Sequence, residues 1–348
     1  MFPPCPITSG RSSMSLKSLL LAGAALTLPG LAMADPIAPK VLVITMFGGE
    51  AKPWLSGLDL PQSVKIPGLP ADADALHCNA DLCEMTTTMG FANAAASAMA
   101  VGFSDQVDLR QTYVIIAGIA GVNPEKGTLG GAAWADYVVD TGLVHFIDSR
   151  EAPADWPSQI VELGAKAPDE KPGWSAGTEV FALNADLVQD AFAATKDVAL
   201  SDGDAAKAYR ALYSQEAAKA APAVTVCASV SSDTYWHGAI TAAEVARHTA
   251  FLTDGKADYC MSQMEDNATL TGLKRAAEAG RLDFDRVAVL RTASNFDRAH
   301  DGQTTAESLA AKSGGYGPAT QNAFLVGNAF AQTIITHWDD YATGVPKP

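Results

Sequence analysis

The chain is short of basic residues and of long apolar runs, and each shortage excludes a class of protein. It has 24 Lys and Arg residues against 39 Asp and Glu residues, which gives a net charge of −15. A surface this acidic repels nucleic acid and anionic lipid. Beyond position 34, no apolar run approaches the ~20 residues that a membrane-spanning helix needs. We therefore expect no nucleic-acid partner and no membrane span in that part of the chain.

The first 34 residues predict export. Residues 14–34 contain one cation, Lys17, then an apolar stretch with a Pro-Gly break, and they end in A-M-A. This pattern is typical of a secretory signal peptide, with cleavage after Ala34. A membrane anchor is the alternative, but the apolar part is too short and too interrupted to span a bilayer. Residues 1–13 are interpreted as an upstream mis-start, with Met14 as the true beginning. We expect a mature domain over 35–348, in the periplasm or secreted.

Four cysteines remain after this cleavage: Cys78, Cys83, Cys227 and Cys260. In an oxidising compartment an even number suggests two disulfides, and four cysteines allow three pairings. Cys78 and Cys83 are close enough to close a small loop, so we pair them and leave Cys227 with Cys260. The rival interpretation is a zinc site that uses His77, but the spacing matches no standard zinc motif. No metal is expected.

Short β-branched runs alternate with Ala-rich helical stretches along the mature domain. With 48% hydrophobic and 18% charged residues, the chain can bury a large core. This alternation predicts a single α/β domain with a mixed or mostly parallel sheet covered by helices. The predicted strands are 41–46, 112–117, 137–147, 224–230 and 286–291. The predicted helices are 92–101, 180–195, 205–218, 242–252, 267–279 and 322–338. The Pro-rich segments 53–81 and 151–177 are expected to be irregular.

Glycine-rich, polar and aromatic segments follow several of the predicted strands. In open α/β sheets, ligands bind beyond the carboxyl ends of the strands. Taken singly, each segment also fits a turn, a helix N-terminus or core packing, but the ordered set indicates a ligand site. The candidate residues are Gly48, Gly49, Glu50, Gly118, Gly121, Asn123, Tyr235, Trp236, Met264, Glu265, Asn295 and Asp297.

In their order along the chain, these segments resemble known families. G-I-A-G (118–121), M-E (264–265) and R-T-A-S-N (291–295) resemble the G-S-A-G, M-E and R-x-x-S-D signatures of nucleoside phosphorylases and related N-ribosyl hydrolases. Longer strings are similar to the purine nucleoside permease family, and the likeness runs from 41 to about 338. These strings are T-T-T-M-G-F-A-N-A-A-A-S (86–97), A-G-I-A-G-V-N-P (117–124), Y-W-H-G (235–238), Q-M-E-D-N (263–267) and L-R-T-A-S-N-F-D (290–297).

The resemblance implies a nucleoside phosphorylase-like fold with a purine nucleoside site. Cleavage of an N-ribosidic bond passes through a ribosyl cation-like state, so such a site needs help for the departing base and a carboxylate near the sugar. By resemblance, Glu265 hydrogen-bonds the ribose hydroxyls and Met264 packs on the sugar. Glu50 corresponds to the acid that activates water in hydrolytic relatives.

At the base, the resemblance implies that Asn295 faces N7 and that Tyr235 or Trp236 stacks on the ring. Many relatives have Asp at the position of Asn295. An asparagine can donate and accept hydrogen bonds but cannot supply an acidic proton. Asp297 is the alternative proton donor, so the expected catalytic set is Glu50, Asn295 and Asp297.

The phosphate side also departs from the family pattern. Ile119 stands where relatives carry a polar residue, which removes one phosphate contact. The backbone N–H groups near Gly48 and Gly49, or the residues 86–88, are the alternatives for holding an anion. No cofactor is expected, and phosphate is the one co-substrate that the resemblance admits.

Two functions from different classes follow from the resemblance. The first is a binding component that assists purine nucleoside uptake, with an uptake partner that the sequence does not identify. The second is an enzyme that splits nucleosides into base and sugar, by hydrolysis or phosphorolysis. A structural or adhesive protein is disfavoured because polar and aromatic residues converge on the strand ends.

Overall fold

The chain folds as alternating strands and helices. A computed structural model describes residues 35–347, and the predicted signal peptide lies outside them. The strands are β1 (Val41–Thr45), β2 (Gln62–Lys65), β3 (Ala75–Cys78), β4 (Leu82–Thr86), β5 (Tyr113–Val122), β6 (Ala132–Trp134), β7 (Tyr137–Asp140), β8 (Val144–Phe146), β9 (Ile160–Glu162), β10 (Val180–Ala182), β11 (Val224–Val226), β12 (Ala228–Ser231), β13 (Tyr259–Gln263) and β14 (Val287–Phe296). The helices are α1 (Gly48–Gly57), α2 (Phe91–Gly102), α3 (Ala185–Thr195), α4 (Asp204–Arg210), α5 (Glu216–Lys219), α6 (Ala239–Leu252), α7 (Asp266–Glu278), α8 (Thr305–Ala310), α9 (Tyr316–Thr336) and α10 (Trp338–Tyr341).

In the described residues, twelve strands form one mixed sheet. Its main order is β10-β7-β12-β13-β5-β1-β4-β3-β2, while β14 pairs with β5 and β6, and β11 pairs with β6. Strand β1 is parallel to β4 and β5, and β14 is parallel to β5, whereas β13 is antiparallel to β5. Every residue of β1 and β13 is buried, as expected of strands covered on both faces. The predicted α/β class is confirmed.

The helices pack on the sheet in two groups. Helices α2 and α7 pack against each other, and α7 also lies against β7, β10 and β12. Helix α9 lies along β5, β6 and β14, with α1 and α3 beside it. No helix within residues 35–347 is both long enough and apolar enough to cross a bilayer.

Strands β5 and β14 run further than their sequences predict. The segments 118–122 and 292–296 were expected to be loops after the strands, but they continue them. Glycine, serine and asparagine have low β propensity. Here they lie in strands because the two segments pair with each other in parallel, with a register shift between Ala293 and Asn295.

Other predicted boundaries were wrong where tertiary pairing overrode local pattern. Segment 137–147 is split into β7 and β8, 224–230 into β11 and β12, and 180–195 opens with strand β10 before α3 begins. Segment 205–218 is two short helices, and the expected irregular stretch 53–81 holds the end of α1 and the hairpin β2–β3. Strands β4 and β13 were not predicted because buried polar residues such as Glu84 and Gln263 interrupt their apolar pattern.

Both predicted disulfides are present. Cys78 and Cys83 face each other across the β3–β4 pair, with a Cα–Cα distance of 4.1 Å. Cys227 and Cys260 join the residue between β11 and β12 to strand β13, with a Cα–Cα distance of 6.1 Å. Because all four thiols are bonded, none is left as a thiolate ligand for the zinc site that involved His77.

Candidate functional site

A cavity of about 190 Å³ opens beyond β1 and beside the carboxyl-terminal halves of β5, β13 and β14. This is the edge at which open α/β sheets place ligands. Six of the predicted residues line it: Glu50, Gly121, Tyr235, Met264, Glu265 and Asn295. The other lining residues are Met46, Phe47, Met89, Ile119, Ala120, Ser262, Gln263, Arg291 and Ser294. Glu50, Glu265 and Arg291 form the charged end of the cavity, and Tyr235, Ser294 and Asn295 form its neutral end.

At the charged end, Glu50 is held by two backbone groups. It lies in the first turn of α1 and is buried. The Met46 N–H donates to its Oε2 at 2.8 Å, and the Ile119 N–H donates to its Oε1 at 2.7 Å. Burial raises the pKa of Glu50 to about 7, although Arg291 and the two N–H groups favour the ionised form. A carboxyl with this pKa changes its charge near neutral pH.

Glu265 is the second carboxylate of the charged end. It lies two residues beyond the end of β13 and is the N-cap residue that precedes α7. Its Oε1 accepts a hydrogen bond from the Gly90 N–H at 3.1 Å, and its Oε2 accepts one from the Met264 N–H at 3.3 Å. Burial raises the pKa of Glu265, and the Arg291 guanidinium opposes this. These contacts fix the carboxylate toward the cavity without consuming all of its acceptor capacity.

Arg291 joins the two carboxylates to a buried partner, Asp266. Its Nε and Nη2 contact Asp266 at 3.1 and 2.5 Å, and its Nη1 donates to the Ile119 carbonyl at 3.0 Å. Its Nη2 also lies 3.5 Å from Glu265 Oε2. Neither Arg291 nor Asp266 has a predicted role at the site from the sequence. The available signal was the arginine inside the apolar strand V-A-V-L-R, because a buried cation requires a buried acid.

Two glycines of β5 let the side chains of the site approach the backbone. A Cβ at Gly118 would lie 2.6 Å from Glu50 Oε1 and 2.7 Å from Arg291 Nη1, and it would overlap the Met46 side chain. A Cβ at Gly121 would lie 2.5 Å from Ser262 Oγ and would overlap the Tyr235 hydroxyl. The glycines are therefore required by close approach at both ends of the cavity.

The neutral end is a chain of hydrogen bonds without formal charge. Asn295 Nδ2 donates to the Tyr235 hydroxyl at 2.8 Å and to the Phe296 carbonyl at 3.1 Å. Asn295 Oδ1 accepts from Ser294 Oγ at 2.9 Å. Burial raises the pKa of Tyr235, which keeps its hydroxyl neutral. The register shift after Ala293 brings two consecutive residues, Ser294 and Asn295, to the cavity wall.

The remaining predicted residues lie off the cavity wall. The ring of Trp236 packs 6.1 Å from that of Tyr259, and Asn123 accepts a hydrogen bond from the Glu125 N–H. Gly48 and Gly49 form the start of α1, and Gly118 lies beneath Glu50 and Arg291.

Asp297 is also absent from the wall. Its buried carboxylate accepts a hydrogen bond from the Tyr259 hydroxyl at 2.7 Å and contacts Arg298 Nε at 2.7 Å. An acid engaged in this way serves as the partner of Arg298 rather than as a proton donor to a ligand.

The candidates for holding phosphate are not gathered at the cavity. Thr86 Oγ1 donates to Glu84 at 3.2 Å, and Thr87 Oγ1 donates to the Thr88 carbonyl at 2.9 Å. Ile119 presents its apolar side chain to the cavity. Among the described residues that line the cavity, Arg291 is the one basic side chain, and it is engaged by Asp266.

The fold is that of known nucleosidases. A 5'-methylthioadenosine/S-adenosylhomocysteine nucleosidase from S. pneumoniae, solved with a transition-state inhibitor, matches with a TM-score of 0.52 at 14% identity, over 84% of this chain and 99% of that one. The corresponding enzyme from Neisseria meningitidis, in complex with methylthio-immucillin-A, matches with a TM-score of 0.50 at 14% identity, over 85% of this chain and 99% of that one. The likeness defines a phosphorylase-like α/β scaffold.

Sequence comparison identifies the family. The profile of the purine nucleoside permease family matches residues 38–346, and the chain belongs to this family. A purine nucleoside permease of Candida albicans is 35% identical over 308 residues, which cover 86% of this chain and 76% of the relative. A probable purine nucleoside permease of Schizosaccharomyces pombe is 35% identical over 316 residues, which cover 86% of this chain and 90% of the relative.

Proposed function

We propose that the cavity binds a purine nucleoside and that the protein serves nucleoside uptake outside the cytoplasmic membrane. The observation that carries this proposal is that one cavity has a carboxylate for sugar hydroxyls, Glu265, and a donor–acceptor pair for a base, Tyr235 and Asn295. The names of the fungal relatives support the link to uptake.

The sugar is assigned to the charged end on chemical grounds. Glu265 is oriented by the Gly90 and Met264 N–H groups before any ligand arrives, so little side-chain entropy is lost on binding. A carboxylate that accepts from two vicinal hydroxyls makes charge-assisted hydrogen bonds, which are stronger than neutral ones. Met264 and Met89 supply apolar surface beside it.

The base is assigned to the neutral end, with Tyr235 as its direct contact. Because the Tyr235 hydroxyl accepts from Asn295 Nδ2, its own proton is free for donation to a base nitrogen such as N7. Asn295 then orients the hydroxyl rather than donating an acidic proton. This arrangement binds a base firmly but gives its departure little acid assistance, which suits a binding protein.

A second candidate function is slow hydrolysis of the N-ribosidic bond, which the state of Glu50 favours. A general base works best when its pKa lies near the operating pH, and burial raises the pKa of Glu50 to about 7. Water is favoured over phosphate as the nucleophile, because the one basic side chain on the described wall, Arg291, is already paired with Asp266.

Export belongs to the same proposal. The signal sequence and the two disulfides, Cys78–Cys83 and Cys227–Cys260, fit a mature chain from 35 to 348 in the periplasm or outside the cell. Intact-mass analysis of the secreted protein should give a chain that starts at Asp35 and lacks four hydrogens relative to its reduced form. Free thiols at Cys227 and Cys260 would contradict this.

The function is tested by titrating the purified 35–348 protein with inosine, adenosine and guanosine, with and without phosphate, while base release is followed. We expect saturable binding of at least one nucleoside and base release that is slow or absent. Binding should be weakened by Glu265→Ala and unchanged by Glu278→Ala, an exposed acid at the other end of the same helix. If none of the three nucleosides binds, the proposal is wrong.

A further inference from the structure

A second cavity, of about 370 Å³, lies between helix α6, strand β7 and the long segment from β8 to β10. It shares no lining residue with the nucleoside cavity. Its volume falls within the range of about 300–1,000 Å³ that is usual for small-molecule sites. Part of its wall comes from the Pro-rich segment 151–177, which is predicted to be irregular. The cavity therefore requires an explanation of its own.

Two buried polar side chains on its wall have unused hydrogen-bonding atoms. Glu162 and His248 are 4% and 1% exposed, and His248 Nδ1 lies 3.1 Å from Glu162 Oε1. Glu162 Oε2 and His248 Nε2 find no partner within residues 35–347. Buried polar atoms are nearly always hydrogen-bonded. With the Nδ1 proton donated to Glu162, both free atoms are acceptors, so the missing group is a donor.

The charge around the cavity favours a positively charged ligand. Three carboxylates line it: Asp140, Glu162 and Glu179. The one lysine of the described wall, Lys171, has its Nζ 2.6 Å from Asp254, outside the cavity. The nearby Arg247 contacts Asp169 through Nη1, while its Nε and Nη2 find no partner within the described residues and its charge favours the ionised form of Glu162. Lys171 and Arg247 are each balanced in charge by an acid off the wall, Asp254 and Asp169, so the three wall carboxylates leave a negative excess.

The rest of the wall is apolar and aromatic. Leu143, Val144, Leu163 and Leu252 contribute aliphatic surface, and Trp174 lies at the cavity with 56% of its surface exposed. An exposed indole beside carboxylates is a combination that attracts organic cations, because the ring face adds a cation–π contribution.

We propose that this cavity binds a small organic ammonium ion with an apolar or aromatic body. The ammonium group has three N–H donors, which match the two free acceptors on Glu162 and His248 and the negative wall. The body of the ligand packs on the leucines and on Trp174. The site is independent of the nucleoside cavity and of its function.

The proposal is tested with a matched pair of probes, 2-phenylethylamine and its neutral isostere 2-phenylethanol. Isothermal titration calorimetry of the 35–348 protein should show saturable binding of the amine and at least about tenfold weaker binding of the alcohol. Saturating inosine should leave the affinity for the amine unchanged. Equal affinity for the two probes, competition by inosine, or no saturable binding would each overturn the proposal.

Variants locate the binding. Glu162→Gln removes one charge and turns a free acceptor into an amide, and it should weaken amine binding by about tenfold or more. Asp155→Asn makes the same charge change at an exposed position of the same segment that is not on the cavity wall, and it should have no effect. Trp174→Ala, at an exposed position, should weaken binding by several-fold. Unchanged affinity in both Glu162→Gln and Trp174→Ala would sink the assignment.

Discussion

The charged and neutral ends of the cavity beyond β1 differ in the kind of group that they can bind. The charged end buries Glu50, Glu265 and Arg291 together, and each is held by backbone groups or by Asp266. The neutral end relies on the Tyr235–Asn295–Ser294 hydrogen bonds and carries no charge. In the proposed assignment, the charged end therefore binds the sugar and activates water, whereas the neutral end holds the base without an acid to assist its departure.

This difference bears on the choice between the two proposed functions, binding and cleavage. Catalysis needs charge where charge develops, at the ribosyl group and at the departing base. Within the described residues, the carboxylates and the guanidinium on the cavity wall all lie at the charged end, because Asp297 is engaged by Arg298 away from the wall. We expect changes at the charged end to have the larger effects.

The largest effect is expected from Glu50→Gln on base release. The carboxyl acts as a base only when ionised, and its raised pKa of about 7 means that the rate should increase as pH rises through about 7. Removing a general base should lower the rate by about 10²–10⁴-fold and abolish this pH dependence. Release should depend little on phosphate.

Glu84→Gln is the matched control for this experiment. Glu84 is also buried with its pKa raised to about 7 by burial, but it does not line the cavity. Its variant should keep the pH–rate profile of the wild type. An unaltered profile in Glu50→Gln would contradict the role of Glu50, and no release by the wild type would leave binding as the function.

The second largest effect is expected from Arg291→Met, which should lower the stability of the fold. Removing one partner of a buried ion pair leaves Asp266 as an uncompensated buried charge, which should lower the free energy of unfolding by about 3–5 kcal/mol. Urea unfolding measures the change. Arg110→Met, which removes an exposed arginine paired with Asp108, should leave the midpoint nearly unchanged. A similarly small change in both variants would show that the Arg291–Asp266 pair contributes little to the free energy of unfolding.

Glu265→Ala tests whether the charged end contacts the sugar of the ligand and not its base. The loss of charge-assisted hydrogen bonds, worth about 1.5–3 kcal/mol each, should weaken nucleoside binding by roughly tenfold or more. Affinity for the free base should hardly change, because the base contacts the neutral end. Calorimetric titration with inosine and hypoxanthine makes the comparison. Equal losses for both ligands would assign Glu265 a structural role at the start of α7.

Tyr235→Phe should have a smaller effect than Glu265→Ala, and the effect should be the same for the nucleoside and the free base. The loss of one neutral hydrogen bond, worth about 0.5–1.5 kcal/mol, should weaken nucleoside and free base by a similar factor. The same titrations measure it. A loss of affinity for the nucleoside alone would mean that Tyr235 contacts the sugar, which would contradict the proposed assignment of the two ends.

The smallest effect concerns the choice of purine. The Tyr235 hydroxyl, whose oxygen accepts from Asn295 Nδ2, donates to the base, which fits the N7 and 6-oxo acceptors of inosine and guanosine better than the 6-amino group of adenosine. We expect these nucleosides to bind several-fold better than adenosine, as one neutral hydrogen bond allows. A titration that shows adenosine binding clearly more tightly would reverse the assignment.

Part of this site could be read from the sequence. Glu50, Tyr235, Glu265 and Asn295 lie at or near the ends of regular segments, and the structure brings all four to one cavity wall. Asp297 could not be excluded in advance, because a one-residue change of register along a strand turns a side chain to the other face.

The sequence by itself determined the family, the α/β alternation and the two disulfide pairings, because each depends on local pattern, motif order or spacing along the chain. Only the tertiary structure decided that Arg291 meets Asp266, that β5 and β14 continue through their glycine and serine segments, and that Asp297 is taken up by Arg298. The physical reason is that these contacts follow from strand register and burial between segments far apart in the chain. A buried ion pair or a register shift changes partners without changing the local pattern of either segment.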